Sequence, residues 1–398
     1  MKIENLIENK NYILENMPKG YYTCSKNLGI KDKTLDFTVI YSEKQADAAA
    51  MFTKSRFCGA PIPIGKKNVA NGKLQCFAIN SKNANVATGE EGIKNVEEIV
   101  NLIADELNIS PEDILPSSTG VIGHQLPMDK IRAGIKNLND SLVEGRLDIS
   151  AEAIMTTDTH PKLLMCKVGN ATLMGIAKGS GMIEPNMATM LAYFVTDAAI
   201  PSETLQGMLK DAVNLSFNMV SIDTDTSTSD TVAIMANGLA GEVDMQEFKQ
   251  ALNLLSIELA KEVARDGEGA TKLLEVTVDE ASNFLQAKNI AKSIVNSPLV
   301  KTAIFGRDAN WGRVAMAIGK CEEELEVNPE EISIYFGDIL IYNRRPINDE
   351  NIISNIEQYL ENPEIKIRVS LGLGTEDATV WGCDLSYEYV RINGEYTT

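Results

Sequence analysis

Histidine is almost missing from this chain: its 398 residues include two, His124 and His160. A Ser-His-Asp or Cys-His mechanism must use one of these or do without. The six cysteines, Cys24, Cys58, Cys76, Cys166, Cys321 and Cys383, stand far apart with no CxxC pair. That dispersal reads as reduced, mostly structural thiols of a cytoplasmic protein. It also argues against zinc, whose sites normally draw on closely spaced ligands, and no metal or cofactor is expected. No apolar run approaches the ~20 residues that span a bilayer. The opening MKIENLIENKNYILENM sets acids among its apolar positions, unlike a signal peptide. Basic residues are outnumbered, 37 Lys and Arg against 56 Asp and Glu, for a formal charge of −19. Such a surface repels a phosphate backbone and no Lys/Arg cluster offsets it. Neither nucleic acid nor membrane is expected as a partner.

What is present is ordinary globular material, 44% hydrophobic and 23% charged, at a length that suits one large domain or two. LDFTVIY (35–41) and KLQCFAIN (73–80) read as strands, and NVEEIVNLIADEL (95–107) as a helix. In PMDKIRAGIKNLNDSLV, Pro127 suits a first helical position, with Ile131, Ile135, Leu138 and Leu142 on one face. Two apolar runs flank Gly169-Asn170, a two-residue hairpin signal. Helices are expected near 202–214, 245–264 and 348–361, and strands at TKLLEVTV, SIYFGDILIY and EIKIRVSLGLG. Irregular alternation with hairpins makes this a mixed α/β chain rich in antiparallel sheet. A composition break near 280–300 suggests two domains, 1–280 and 281–398.

Several stretches invite a function. DTDTSTSD (223–230) looks like a calcium loop, but the positions that require Gly and Glu hold Thr228 and Ile234. A turn that satisfies its own backbone fits better. GLG (372–374) lacks the rest of a dinucleotide motif, and KGSG (178–181) lacks the order of a phosphate loop. FGRDANWGR (305–313) reads either as a carboxylate site or as a salt-bridged corner. SSTGVIG (117–123) offers small residues whose amides can face a cavity, as an oxyanion hole needs, or simply a tight turn.

The sharpest feature is KGSGMIEPNMATMLAYFVTDA (178–198), where a glycine-rich loop runs into a buried apolar strand at Thr189. A histidine-poor protein can activate a threonine through that residue's own α-amine, once the preceding bond is cut. The amine's ordinary pKa near 8 suits a base at neutral pH. Attack of the Thr189 hydroxyl on the Ala188 carbonyl would cut it, through an ester that water hydrolyses. The bland alternative is a threonine that opens an ordinary strand.

Long blocks of the sequence resemble the ArgJ family, the ornithine acetyltransferases and glutamate N-acetyltransferases of arginine biosynthesis. They are NSKNANVATG (80–89), SSTGVIGHQLPMDKI (117–131), AIMTTDTHPK (153–162), AKGSGMIEPNMATMLAYFVTDA (177–198), SFNMVSIDTDTSTSDT (216–231), RDGEGATK (265–272), VKTAIFGRDANWGR (300–313) and DLSYEYVRINGEYTT (384–398). The resemblance implies self-cleavage at Ala188–Thr189 into α (1–188) and β (189–398) chains held in an α2β2 assembly. It implies ping-pong transfer of acetyl from N-acetyl-L-ornithine through Thr189 to L-glutamate, with acetyl-CoA as a further donor in some members. Thr119 and Gly120 match the family's oxyanion pair. Thr156, Lys178, Thr189, Glu268, Asn393 and Thr398 match its substrate contacts, so that the chain's end would cover the site. His124 has no implied role beyond packing.

The implied fold is a layered α-β-β-α sandwich with a smaller C-terminal α/β domain. The sequence departs from the family where Lys82 and Thr224 stand in place of Gly, and Ser229 in place of Asn. Two rival functions remain. In an N-terminal-nucleophile amidohydrolase or aminopeptidase, water rather than glutamate would take the acyl group. A non-catalytic binding protein would keep only the scaffold.

Overall fold

The computed structural model describes residues 4–5, 16–184, 190–324 and 326–395. The first half runs β1 (Glu4–Asn5), β2 (Tyr21–Lys26), β3 (Phe37–Phe52), α1 (Pro61–Asn68), β4 (Lys73–Asn80), α2 (Gly89–Leu107) and β5 (Ile114–Ser118). Then follow α3 (Met128–Ile135), β6 (Val143–Glu144), α4 (Leu147–Ile154), β7 (Lys162–Val168), β8 (Ala171–Lys178) and β9 (Leu191–Ala198). The second half holds α5 (Ser202–Leu215), β10 (Thr231–Gly241), α6 (Met245–Arg265), β11 (Leu273–Ala281), α7 (Phe284–Val295), α8 (Pro298–Gly306) and α9 (Trp311–Gly319). It ends with β12 (Ser333–Phe336), β13 (Ile339–Asn343), α10 (Glu350–Tyr359), β14 (Glu364–Ser370), β15 (Glu376–Cys383) and α11 (Tyr387–Glu395).

Side chains of a strand alternate between its faces, and here both faces of the central strands are buried. In β9, Leu191, Tyr193 and Val195 point into one apolar core, whereas Ala192 and Phe194 point into another. The same split runs through β7, β8 and β10. The first core also receives Tyr21 of β2, Ile40 of β3, Phe77 and Ile79 of β4 and Leu115 of β5, so two layers of strands face each other across it. Helices α5 and α6 cover the outside of the β7–β10 layer, bringing Leu205, Leu209, Phe248, Leu252, Leu255 and Leu259. Helices α2 and α3 cover the other layer through Val96, Ile99, Ile103, Ile131 and Ile135. The order is helix, sheet, sheet, helix, as the resemblance implied. Each large side chain so buried is worth roughly 1.5–3 kcal/mol relative to exposure.

The two layers belong to one hydrogen-bonded sheet because β3 bends. Its first residues pair with β2 and β4, and Asp47–Phe52 pair with β10, with a register break between Tyr41 and Ala46. A second sheet has the order β13-β12-β14-β11-β15. Its apolar face shares the outer core with α6 and α7. No helix among the described residues is long and apolar enough to cross a membrane.

The Gly169-Asn170 hairpin joins β7 and β8 as expected, with Gly169 at φ 56°. The helix begun at Met128 is shorter than its apolar spacing predicts. It stops at Ile135, because Lys136 leaves the helical region at ψ 137° and Asn137 follows with a left-handed φ of 55°. Pro127 is its N-cap rather than its first helical residue, while Leu138 is still buried.

Lys82 and Thr224, the two replacements of a family glycine, take φ of 77° and 69°. The backbone keeps the left-handed conformation that glycine favours, and the side chains bear the strain. A left-handed residue other than glycine costs about 1–2 kcal/mol, more for a β-branched one, against about 0.5–1 kcal/mol of chain entropy for glycine. Thr224→Gly is therefore expected to raise the unfolding free energy by about 0.5–1 kcal/mol. Urea unfolding would show this as a higher midpoint at unchanged slope, and a lower midpoint would refute it.

Candidate active site

Sheet topology brings three strand ends to one place. Lys178, the last residue of β8, pairs with Leu191, the first of β9, and Leu191 pairs on its other side with Thr231, the first of β10. The Thr231 amide donates to the Met190 carbonyl at 3.1 Å. Across the sandwich, β5 ends at Ser118 and delivers Thr119 and Gly120. These residues, with Thr156, Gly181, Met190, Ser227, Asp230, Glu268 and Asn393, line one pocket.

Six of the residues singled out in the sequence thus meet: Thr119, Gly120, Thr156, Lys178, Glu268 and Asn393. Ala188, Thr189 and Thr398 lie outside the described residues. Of the other stretches, FGRDANWGR forms a corner between α8 and α9. There Arg307 pairs with Glu361 at 2.9 Å and Arg313 donates to the Leu299 carbonyl at 2.7 Å. His124 does not pack: it is exposed, and its carbonyl accepts from Asn83 Nδ2 at 3.2 Å. His160 faces Glu262 and Asp266 at 3.7 and 3.5 Å.

The oxyanion turn is held by β-type bonds: the Thr119 amide donates to the Asn80 carbonyl at 3.0 Å and the Val121 amide to the Lys82 carbonyl at 2.9 Å. The Thr119 amide is thereby committed, so a donor from this residue must be its hydroxyl. The Gly120 amide has no acceptor among the described residues. Gly120 has φ 131°, and a Cβ there would lie 2.2–2.6 Å from the Lys82 backbone, so only glycine fits.

Lys178 is 8% exposed and donates to Thr156 Oγ1 at 3.0 Å. Burial lowers its pKa, as does the nearby Lys162 ammonium, while Asp158, Asp230 and Glu268 pull it back up. Behind it, Lys162 is wholly buried between Asp158 Oδ1 at 2.9 Å and Asp266 Oδ2 at 2.6 Å. Asp158 also accepts from the amides of Thr156 (3.0 Å) and Gly179 (2.6 Å). Burial opposes its charge, but Lys162 and Lys178 hold its carboxyl well below the usual carboxylate range.

The glycine-rich loop after Lys178 is pinned from three sides. Asp158 holds Gly179, the Ser180 carbonyl accepts from the Glu268 amide at 2.7 Å, and Asp223 accepts from the amides of Met182 and Ile183, both at 2.7 Å. The DTDTSTSD stretch was expected to satisfy its own backbone. It does so in part, through the Ser229 amide to Ser227 Oγ at 3.2 Å and the Asp225 amide to Asp223 at 3.4 Å, but its first carboxylate also clamps the neighbouring loop. Gly181 lets this loop approach Glu268, whose carboxyl would lie 2.4–2.6 Å from a Cβ there. Asn393 on α11 donates to Glu268 Oε2 at 2.7 Å, which ties the C-terminal helix to the pocket.

The sequence profile described as the ArgJ family matches residues 23–398. The chain belongs to the ArgJ family. A Clostridium acetobutylicum protein named arginine biosynthesis bifunctional protein ArgJ 2 is 54% identical over 388 residues, covering 97% of this chain and 99% of that one. A Nostoc protein of the same name is 51% identical over 381 residues, covering 96% and 98%. A Streptomyces clavuligerus protein named glutamate N-acetyltransferase Oat2 is 46% identical over 385 residues, again 96% and 98%.

In this ArgJ family member, sequence reasoning missed Asp158, Lys162, Asp266 and Asp230. The first two sit in AIMTTDTHPK (153–162), a block in which only Thr156 is given a role. A lysine opening an apolar strand, as Lys162 does in KLLMCKV, is the signal that could have found the buried triad, since a buried ammonium requires carboxylate partners. Removing one partner strands the others: Lys162→Met is expected to cost about 3–5 kcal/mol at pH 7. Asp158 titrates lower in the folded chain than unfolded, so its contribution is complete above about pH 4 and is lost as pH falls toward its folded value. Urea unfolding between pH 3 and 7 checks both. Asp158→Asn should flatten the acid loss, and an unchanged acid slope would contradict the assignment.

Proposed function

We propose that this chain is the acetyltransferase that moves acetyl from N-acetyl-L-ornithine to L-glutamate, with Thr189 as an N-terminal nucleophile. The observation that carries this reading is the convergence of Thr119, Gly120, Lys178, Glu268 and Asn393 on one pocket at whose edge lies Met190, the residue after Thr189. Family membership with relatives named bifunctional ArgJ and glutamate N-acetyltransferase supports it.

Maturation begins when the Thr189 hydroxyl attacks the Ala188 carbonyl. The C–N bond breaks as its nitrogen takes a proton, and water hydrolyses the resulting ester. The products are an α chain ending in the Ala188 carboxylate and a β chain beginning with the Thr189 amine. In turnover the amine takes the hydroxyl proton, Oγ bonds to the acetyl carbon, and the amide bond breaks as the proton passes to departing ornithine. The glutamate amine then attacks the acetyl-threonine ester and frees the hydroxyl. The Thr119 hydroxyl and the Gly120 amide stabilise the oxyanion of each tetrahedral intermediate, about 3–4 kcal/mol per donor. Lys178 takes a substrate carboxylate, with Thr156 beside it. Glu268, held by Asn393, faces the ornithine ammonium, and Thr398 completes the substrate contacts.

The proposal extends to an α2β2 assembly in the cytoplasm, to acetyl-CoA as a second acetyl donor, and to a catalytic portion 1–280 with a C-terminal portion 281–398. The hydrolase alternative differs only in what takes the acyl group. Intact mass is expected to show the 43.5 kDa chain split at Ala188–Thr189, and Thr189→Ala left whole. With N-acetylornithine the β chain should gain one acetyl group, and N-acetylglutamate should form when glutamate is added. Thr119→Ala is expected to lower kcat by about 10²–10³. Acetate released at the same rate without glutamate would mean a hydrolase, and an uncut chain that takes no acetyl would remove the mechanism.

A further inference from the structure

Among the described residues that line the pocket, Asp230 is the one ionisable group to which neither the family resemblance nor the mechanism gives a task. It is 1% exposed and lines the pocket. Neither of its carboxylate oxygens has a hydrogen-bond partner among the described residues. A buried carboxylate without a partner is expensive and tends to take up a proton. Burial accordingly pushes the Asp230 pKa well above its ordinary value, with Ser227 and Lys178 opposing the shift. The Lys178 ammonium cannot serve it alone, since Lys178 donates to Thr156 and also faces Asp158 and Glu268. An unmet acceptor of this kind points to a donor that arrives with the mature site.

Strand register says which donor that is. Thr231 pairs in parallel with Leu191, and its amide bonds to the Met190 carbonyl. Asp230 therefore stands beside Met190, one residue along the chain from Thr189. Cutting the bond before Thr189 creates an amine one residue along the chain from Met190, the strand neighbour of this carboxylate. The charged group that acts on Asp230 is Lys178 from β8. Glu268, from the loop after α6, lines the same pocket, Asp158 faces Lys178, and Asp223 and Asp225 precede Asp230 in its own loop.

We propose that Asp230 is the positioning partner of the Thr189 α-amine, a role that rests on Thr189 being the N-terminal nucleophile. Its carboxylate accepts a hydrogen bond from the amine and so aims the nitrogen lone pair at the threonine hydroxyl. When that nitrogen takes the hydroxyl proton, Asp230 balances the ammonium, and on collapse of the intermediate the proton leaves with the ornithine nitrogen. Asp230 itself neither gains nor loses a proton. A carboxylate that holds a base in place and offsets its charge is a recurrent device in acyl transfer.

The test is Asp230→Asn in the full chain. The variant is expected to cleave, because its task begins with the new amine. Its kcat should then fall about 10²-fold or more, with KM for N-acetylornithine unchanged within about twofold. The acidic limb of its kcat/KM profile should move down by about one pH unit or more, since an amine deprived of its carboxylate loses its proton more readily. An unmoved limb, a loss confined to KM, or a folded but uncut variant would overturn the assignment. Should the variant not fold, the wild-type β chain decides. Carbamylation of its N-terminal amine by cyanate, followed by mass, should titrate at or above the ordinary value of about 8, and a midpoint well below that refutes the partnership. A wild-type chain that stays uncut or takes no acetyl overturns the nucleophile reading as a whole, whereas an active wild type with an unmoved Asp230→Asn profile overturns this inference alone.

Discussion

The buried ammonium of Lys162 holds together most of what surrounds the site. It bridges Asp158, in the loop before β7, and Asp266, at the end of α6. Each carboxylate has further duties: Asp158 accepts from the amides of Thr156 and Gly179, and Asp266 from the amide and hydroxyl of Thr159. One cation therefore fixes the loop that carries Thr156, the turn after Lys178 and the helix end that precedes Glu268. A buried ion pair adds little net stability over a well-packed apolar substitute. Its value here is geometric, because every atom in the cluster has a specific partner and a few tenths of an ångström of drift would break several bonds at once.

This anchoring works because the sandwich supplies a rigid edge. Strands buried on both faces cannot slip by one residue without exchanging the contents of the two cores. The register that aligns Lys178, Leu191 and Thr231 is locked by Tyr193 and Phe194, which face opposite sides. The bend in β3 makes two layers from one sheet, so the end of β5 lies across the same pocket from the ends of β8 and the starts of β9 and β10. The second sheet contributes through the helix that follows β15, since Asn393 on α11 reaches Glu268. An oxyanion turn, an ammonium and a carboxylate arrive from separate parts of the chain, each on a backbone already fixed by its own layer.

Charge is concentrated where water is scarce. Lys178 and Asp230 are both buried, and both have their charged forms disfavoured by burial. In such surroundings each charge depends on its neighbours, and a new amine or a substrate carboxylate changes the balance for all of them. The site is therefore poised to respond to the groups that chain cleavage and substrate binding bring in.

Much of this was legible in the residues. Gly169-Asn170 announced its hairpin, KLQCFAIN its strand, and the stripe Phe248, Leu252, Leu255, Leu259 and Val263 its helix, because local spacing alone decides which faces are apolar. The helix after Pro127 was read too long, since apolar spacing continues past Asn137 while the backbone already turns at Lys136 and Asn137. Family blocks located six pocket residues, but the spacing of those blocks could not say that they meet. The Lys162 triad and the unpartnered oxygens of Asp230 were hidden for a related reason: a carboxylate in a polar loop looks the same whether it caps its own turn, clamps a loop forty residues away or waits unpaired. The sequence by itself determined the elements, the family and the candidate nucleophile, all of which depend on neighbours along the chain. Only the tertiary structure decided which charges are buried together and which go without a partner, because burial and pairing depend on residues distant in sequence that come into contact when the layers close.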